Sequence, residues 1–93
     1  MHDAELKRMR ELIRTRQYVM TLHAEDEMDV DGLTVYDAEH VILTGHVTER
    51  QKDHASAEWK YLASGESLAG ASVTVVTKVG PTGKLVIITV FRE

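Results

Sequence analysis

The spacing of the hydrophobic residues changes at His46, and this change restricts the possible folds more than any other feature of the sequence. Before it, apolar residues recur every three to four positions, which is the period of an amphipathic helix. After it, they alternate or form short β-branched runs, which indicates strands. Helices followed by strands predict an α+β domain in which the helices pack on a sheet.

The first half of the chain carries the start and stop signals of helices. Three helices are predicted, at about 3–16, 22–31 and 35–44. Thr21 is a suitable N-cap for the second helix, and Gly32 can end that helix in a left-handed conformation. Thr34 and Asp37 match a capping box at the start of the third helix, which Gly45 ends.

The second half carries strand and turn signals. Four strands are predicted, at about 46–52, 57–63, 72–79 and 84–91. Gly80 and Pro81 begin a tight turn, so the last two strands form a hairpin. The last strand is apolar on both faces and is therefore placed centrally. We expect one domain, residues 1–93, with three N-terminal helices on one face of a four-stranded, mainly antiparallel, twisted sheet.

Composition restricts the function as well as the fold. The 93 residues include no cysteine, which excludes disulfides, thiolate metal sites and cysteine catalysis and fits a cytoplasmic protein. No apolar run is long enough to cross a membrane. Eleven basic and fifteen acidic residues give a net charge of −4, which argues against indiscriminate binding along nucleic-acid phosphates. No cofactor is expected.

The second helix combines one histidine with several carboxylates. His23, Glu27 and Asp31 recur at every fourth position and so share one helix face. His23 is a candidate catalytic acid/base, since an unperturbed imidazole titrates near neutral pH. The alternative is a structural histidine at the helix start. A weaker hypothesis is a divalent metal held by His23 and Glu27, completed by His40 or His46 from elsewhere.

Cations and one phenol on the strands form a second candidate site. Arg50, Lys60 and Lys78 are possible phosphate or RNA contacts, with Tyr61 as an auxiliary catalytic group. Lys60 and Tyr61 are adjacent in sequence, so they point to opposite faces of their strand. The alternative is that these lysines only protect sheet edges from aggregation. Trp59 is expected in the core or an interface.

Five short segments carry a resemblance to a known family. They are Thr21-Leu22-His23-Ala24, Met28, Gly32-Leu33, Ile42-Leu43-Thr44-Gly45 and Ile88-Thr89-Val90-Phe91. Over about residues 18–92 the chain resembles the bacterial domain-of-unknown-function 4258 family, small proteins distantly similar to RelE-like toxins. The resemblance implies a RelE-like fold and a toxin-type ribonuclease that acts on RNA and is paired with an antitoxin protein.

The sequence departs from this family in the second helix. The usual pattern there is His-Ala-x-x-Arg-Met-x-x-Arg-Gly-Ile, and Glu27 and Asp31 occupy the two arginine positions. Arginine pairs bidentately with phosphate, whereas two carboxylates would repel an RNA backbone. This departure favours an alternative function, a non-catalytic binding or regulatory module of the same fold. The oligomeric state stays open, and a dimer is possible.

Overall fold

The computed structural model describes residues 2–55 and 58–93. Within these residues, three helices and five strands follow one another. In chain order they are α1 (Asp3–Arg14), β1 (Tyr18–Met20), α2 (Leu22–Asp31), α3 (Val35–Thr44), β2 (His46–Asp53), β3 (Glu58–Glu66), β4 (Ser72–Val79) and β5 (Leu85–Arg92). The protein therefore has the α+β architecture that the change of hydrophobic period predicts.

The sheet has five strands in the order β1-β5-β4-β3-β2, which corrects the predicted number of four. Strand β1 pairs in parallel with β5, and the other pairs are antiparallel. It also lies between α1 and α2, so the helices do not form one uninterrupted N-terminal block. Three residues are too few to show an alternating pattern, and the sequence therefore indicates only a connector with strand-forming residues.

Most boundaries agree with the local signals. The predicted bounds of α2, α3 and β4 are confirmed. Helix α1 ends at Arg14, two residues early, because Arg16 adopts a positive φ of 57°. Strand β3 extends to Glu66 rather than residue 63, and its predicted start at residue 57 lies outside the described residues. The turn that begins at Gly80 joins β4 to β5 as predicted.

Several local interactions start and end the helices. The Thr21 hydroxyl accepts the Ala24 N–H at 3.1 Å, and Gly32 ends α2 with a φ of 70°. The carboxylate of Asp37 reaches back to accept the Thr34 N–H at 2.8 Å. The predicted caps of α2 and the predicted capping box of α3 are confirmed, and each depends on residues three or fewer positions from the helix end. The sequence also favours Asp3 as the N-cap of α1, but this is wrong, because Asp3 is the first helical residue and His2 is the N-cap.

The core lies between the three helices and one face of the sheet. Its fully buried members include Met9 from α1, Ala24 from α2 and Ile42 from α3. Strand β5 is an internal strand, with β1 on one side and β4 on the other, so its apolar character agrees with a position inside the sheet, although the middle strand is β4. Tyr18 in β1 donates to Glu39 in α3 at 2.5 Å, and burial together with this bond raises the pKa of the phenol to about 12.

Helix α3 ends in very close contact with β3. A Cβ atom at Gly45 would lie 2.2 Å from the Ser64 carbonyl oxygen, so only glycine fits there. Arg10 fastens α1 to the same point, because its guanidinium donates to the carbonyls of Ile42 at 3.0 Å and Gly45 at 2.8 Å. A cation at this helix end is also favoured by the helix dipole.

Membrane insertion through a helix is not supported. Within residues 2–55 and 58–93, every helix falls short of the length and apolar character that crossing a bilayer requires.

Candidate functional site

Two cations and two aromatic residues share one face of the sheet, at the β2–β3 pair. Arg50 lies directly opposite Tyr61, and Lys52 lies directly opposite Trp59. Residues opposite one another in an antiparallel pair project to the same face, and so do residues two apart on one strand. This face is the helix-covered side, because Tyr61 packs against the buried core. The strand register thus places two cations and two aromatic side chains on one face.

Trp59 is stacked beneath the two cations. The guanidinium carbon of Arg50 lies 4.1 Å from the indole centroid, and the Lys52 Nζ lies 5.6 Å from it. Both distances are within the range of a cation–π interaction. Trp59 nevertheless retains 41% of its exposure. The indole is therefore held in position but is still accessible to a ligand.

A cavity of about 280 Å³ opens where α1 crosses the ends of the strands. We call it the α1 cleft. Its lining residues come from α1, β3, β4 and the start of β5: Glu5, Arg8, Met9, Glu58, Trp59, Tyr61, Thr77, Lys78, Val79 and Leu85. The cleft combines an aromatic wall with a few charged and hydroxyl groups, which is typical of a small binding site.

Tyr61 places its phenol beside a second titratable ring. His2, the residue preceding α1, makes an edge-to-face contact with Tyr61, with ring centroids 6.3 Å apart. A phenol beside an imidazole and opposite an arginine could exchange protons and bind an anion. His2 gave no signal in the sequence, since a histidine next to the first residue belongs to no recognisable pattern.

Lys60 and Lys78 do not join Arg50 on the helix-covered face. Lys60 pairs with Gln51 on β2 and alternates with Tyr61, so it projects from the open face. Lys78 alternates with the buried Thr77 and reaches the rim of the α1 cleft, where its Nζ lies 3.2 Å from Glu58 Oε1. Of the three predicted phosphate contacts, the structure brings only Arg50 to the same face as Tyr61.

His23 lies near the other edge of the sheet. It belongs to α2, which packs against β5, whereas Arg50 lies on the edge strand β2. Three strand spacings separate β5 from β2, or roughly 14 Å. The His23 side chain is 67% exposed, and its Nε2 lies 3.3 Å from Glu27 Oε1. The structure does not bring His23 together with the strand cations.

Glu27 and Asp31 bind backbone rather than ligand. Glu27 Oε1 accepts the Val90 N–H at 3.2 Å, and Asp31 Oδ2 accepts the Arg92 N–H at 3.0 Å. Strand β1 covers only the first residues of β5, so these two donors lie on the edge beyond it. The Thr21 hydroxyl donates to the Ile88 carbonyl at 2.9 Å on the same edge. Side chains from α2 and its cap thus continue the pairing that β1 begins.

The arrangement offers little for a metal ion. His23 and Glu27 are close enough to share one, but Glu27 is already a backbone acceptor. Over the part of the chain that the structure describes, no three His, Asp or Glu side chains converge as a metal site would require. The weak metal hypothesis therefore gains no third ligand.

The fold and the α1 cleft define a small α+β protein with an aromatic and cationic site on the helix-covered face of its sheet. The chain belongs to the family described as Domain of unknown function (DUF4258), whose model matches residues 20–92. The match begins at Met20, so α1, which forms one wall of the cleft, lies outside it. No curated protein and no solved structure matches the chain.

Proposed function

We propose that this protein is a RelE-like, toxin-type endoribonuclease that binds RNA at the α1 cleft and is paired with a small antitoxin. The observation that carries the proposal is the placement of Arg50 directly opposite Tyr61 and beside Trp59. All three lie on the helix-covered face of the sheet, where Arg50 and Trp59 remain exposed. Guanidinium binds phosphate, indole and phenol rings stack on bases, and a phenol can carry a proton. These groups can bind RNA, stabilise charge on a phosphate and transfer a proton, which supports a ribonuclease.

The chemistry is a transesterification within the RNA. The ribose 2′-oxygen attacks the adjacent phosphorus, the bond from phosphorus to the 5′-oxygen breaks, and the 2′-hydroxyl proton passes to a base. Arg50 would stabilise the extra negative charge on the phosphoryl oxygens. The Tyr61 hydroxyl would donate a proton to the leaving 5′-oxygen, and the nearby His2 imidazole is suited to accept the first proton.

Growth after induced expression tests this function. We expect the unmodified protein to arrest growth, and Tyr61→Phe and Arg50→Gln to relieve the arrest. Lys60→Gln is the matched control, because Lys60 is a neighbouring strand cation that faces the other way. Normal growth despite abundant soluble protein would contradict a potent toxin. An adjacent small reading frame would be the first evidence for the antitoxin.

His23→Ala separates the two candidate acid/base assignments. The sequence motif favours His23, whereas its position near the other edge of the sheet favours Tyr61. We expect growth arrest to persist in His23→Ala. Relief of the arrest, with the melting temperature unchanged, would restore His23 as the catalytic group.

A second candidate function is a non-catalytic RNA-binding or regulatory module. It is favoured by the position of His23 and by the engagement of Glu27 and Asp31 with the β5 backbone. A module of this kind would bind RNA through Arg50 and Trp59 without arresting growth. Binding of intact RNA that is recovered uncleaved after prolonged incubation would favour it over the ribonuclease.

A further inference from the structure

We propose that the α1 cleft takes a single unpaired nucleobase, which stacks on Trp59 while its phosphates lie on Arg50 and Lys52. This inference rests on the proposed function, because it names the form of RNA that the same site recognises. It also gives Trp59 a role other than the place in a core or an interface that its sequence position predicts.

The indole of Trp59 borders the cleft and also contacts two cations. Trp59 lines the α1 cleft. The Arg50 guanidinium carbon and the Lys52 Nζ lie 4.1 and 5.6 Å from the centroid of its ring, and neither of these two residues lines the cleft. The two cations therefore contact the ring without lining the cleft. Trp59 is still 41% exposed, so the part of the indole that borders the cleft is accessible to a planar ligand, and every base offers a planar π-face for stacking.

Charge determines which end of a nucleotide enters. Among the residues that line the cleft, Lys78 at the rim is paired with Glu58 at 3.2 Å, and Glu5 and Arg8 carry opposite charges. Outside it, Arg50 and Lys52 are exposed and add two positive charges on the same face. A phosphate is favoured outside the cleft and a neutral base inside it. A stacked guanidinium keeps its in-plane N–H groups available for phosphate oxygens.

This orientation requires an unpaired base. In an RNA duplex both faces of each base are covered by its neighbours, and the deep, narrow major groove does not admit side chains to the bases. A base can reach the cleft side of Trp59 only if it is unstacked, as in a loop, a bulge or a single strand. The site should therefore discriminate against duplex RNA of the same sequence.

Binding of a 2′-O-methyl RNA oligonucleotide tests the inference, because the blocked 2′-oxygen prevents cleavage. The probe is offered as a single strand and annealed to its complement, and affinity is measured by anisotropy of a terminal dye. We expect the single strand to bind at least tenfold more tightly than the duplex. We also expect it to change the emission of Trp59, which is the only tryptophan in the chain.

Two substitutions separate stacking from charge. Trp59→Leu should weaken single-strand binding by about five- to a hundredfold, the range for loss of one base–aromatic stack, and Trp59→Phe should retain part of it. Arg50→Gln should reduce the salt dependence of binding by about one phosphate contact. Lys60→Gln, on the other face, should change neither. Circular dichroism confirms that each variant is folded.

The possible failures are distinguishable. Equal binding of single strand and duplex, with unchanged Trp59 emission, would overturn the unpaired-base inference and leave RNA binding by the protein intact. Binding that survives Trp59→Leu undiminished would do the same. Absence of binding to either RNA form by the folded protein would overturn the proposed function and this inference together.

Discussion

At the β5 side of the sheet, α2 supplies carboxylates to the Val90 and Arg92 N–H groups, and β1 pairs with the first residues of the strand. At the opposite side, β2 is the edge strand and pairs with β3. The first edge is closed by side chains from a neighbouring helix. The second is a row of charged residues, and it carries the cations of the candidate site. One edge contributes stability, and the other remains available for binding.

The charges of β2 also protect its edge. A two-fold symmetric pairing of two β2 strands about Gln51 would place Arg50 opposite Lys52 and Glu49 opposite Asp53. Like charges directly opposite one another are destabilising, so this pairing is opposed. The edge can thus stay exposed for binding without recruiting a second copy in this register.

Helix α3 packs against β3, the strand next to the open edge formed by β2. Gly45→Ala should disrupt this contact and cause the largest loss of stability among the variants proposed. The new Cβ would lie 2.2 Å from the Ser64 oxygen and 2.6 Å from the Val41 oxygen, and both are backbone atoms that cannot rotate away. We expect a loss of about 3 kcal/mol in the free energy of unfolding, measured by urea denaturation.

Gly70→Ala is the matched control, because Gly70 has a φ of 88° but nothing within 4 Å of the new Cβ. Only backbone strain applies there, and we expect a loss of about 1 kcal/mol. Equal losses for the two variants would show that the contact between α3 and β3 does not support the open edge.

Asp37 holds the other end of α3. It is buried and accepts the Thr34 N–H at 2.8 Å and the Leu68 N–H, just after β3, at 2.9 Å. Burial alone would raise the pKa of Asp37, but the hydrogen bonds from Thr34 and Leu68 outweigh it and hold the pKa below 3.8. Asp37→Asn should cost about 2 kcal/mol at neutral pH.

The pH dependence of this variant has a definite sign. A carboxyl whose pKa is lowered on folding stabilises the protein above its unfolded pKa, and the contribution is lost as the pH falls through the folded value. The stability difference between the unmodified protein and Asp37→Asn should therefore shrink as the pH falls below 3.8. A constant difference from neutral to strongly acidic pH would contradict the assignment.

The closed edge should respond to loss of the Glu27 carboxylate. Glu27→Ala leaves the Val90 N–H without its acceptor, and we expect a loss of about 1.5 kcal/mol with faster hydrogen exchange at the Val90 amide. Glu27→Gln keeps an acceptor oxygen and should cost much less. His23→Ala removes only the exposed ion pair and should cost under about 0.5 kcal/mol. An unchanged Val90 exchange rate in Glu27→Ala would exclude this edge role.

Only a small effect on stability is expected at the open edge itself. Arg50→Gln removes an exposed cation–π contact, which is worth about 0.5 kcal/mol. The same change should relieve growth arrest if the proposed function holds. A loss of stability as large as that of Glu27→Ala would mean that both edges are structural, and the comparison between them would fail.

Local signals predicted the caps at Thr21, Gly32 and Asp37, because each depends on residues within about one helical turn. The sequence does not predict strand β1, because three residues form no recognisable pattern and the strand exists only through its pairing with β5. That pairing joins Tyr18 to Leu85, which are far apart in sequence. The alternation of side chains along a strand correctly predicted that Lys60 and Tyr61 project from opposite faces of the sheet. It could not show that Arg50 lies opposite Tyr61, because that register depends on a bulge between Val47 and Glu49.

The roles of Glu27 and Asp31 were beyond sequence reasoning for another reason. Their charge was evident, but their hydrogen-bond partners lie about sixty residues further along the chain, in a strand whose edge is left uncovered by the shortness of β1. By charge alone, two carboxylates on one helix suggest repulsion of RNA. The structure shows acceptors that complete a sheet edge.

This edge arrangement has a consequence for how the family can diversify. An arginine at position 27 or 31 cannot accept a backbone N–H, so a relative with an arginine at either position must supply the acceptors for β5 in some other way. The simplest is a longer β1 that pairs along the whole strand. Across an alignment of relatives, the residue types at these two α2 positions and the length of the first strand should therefore change together.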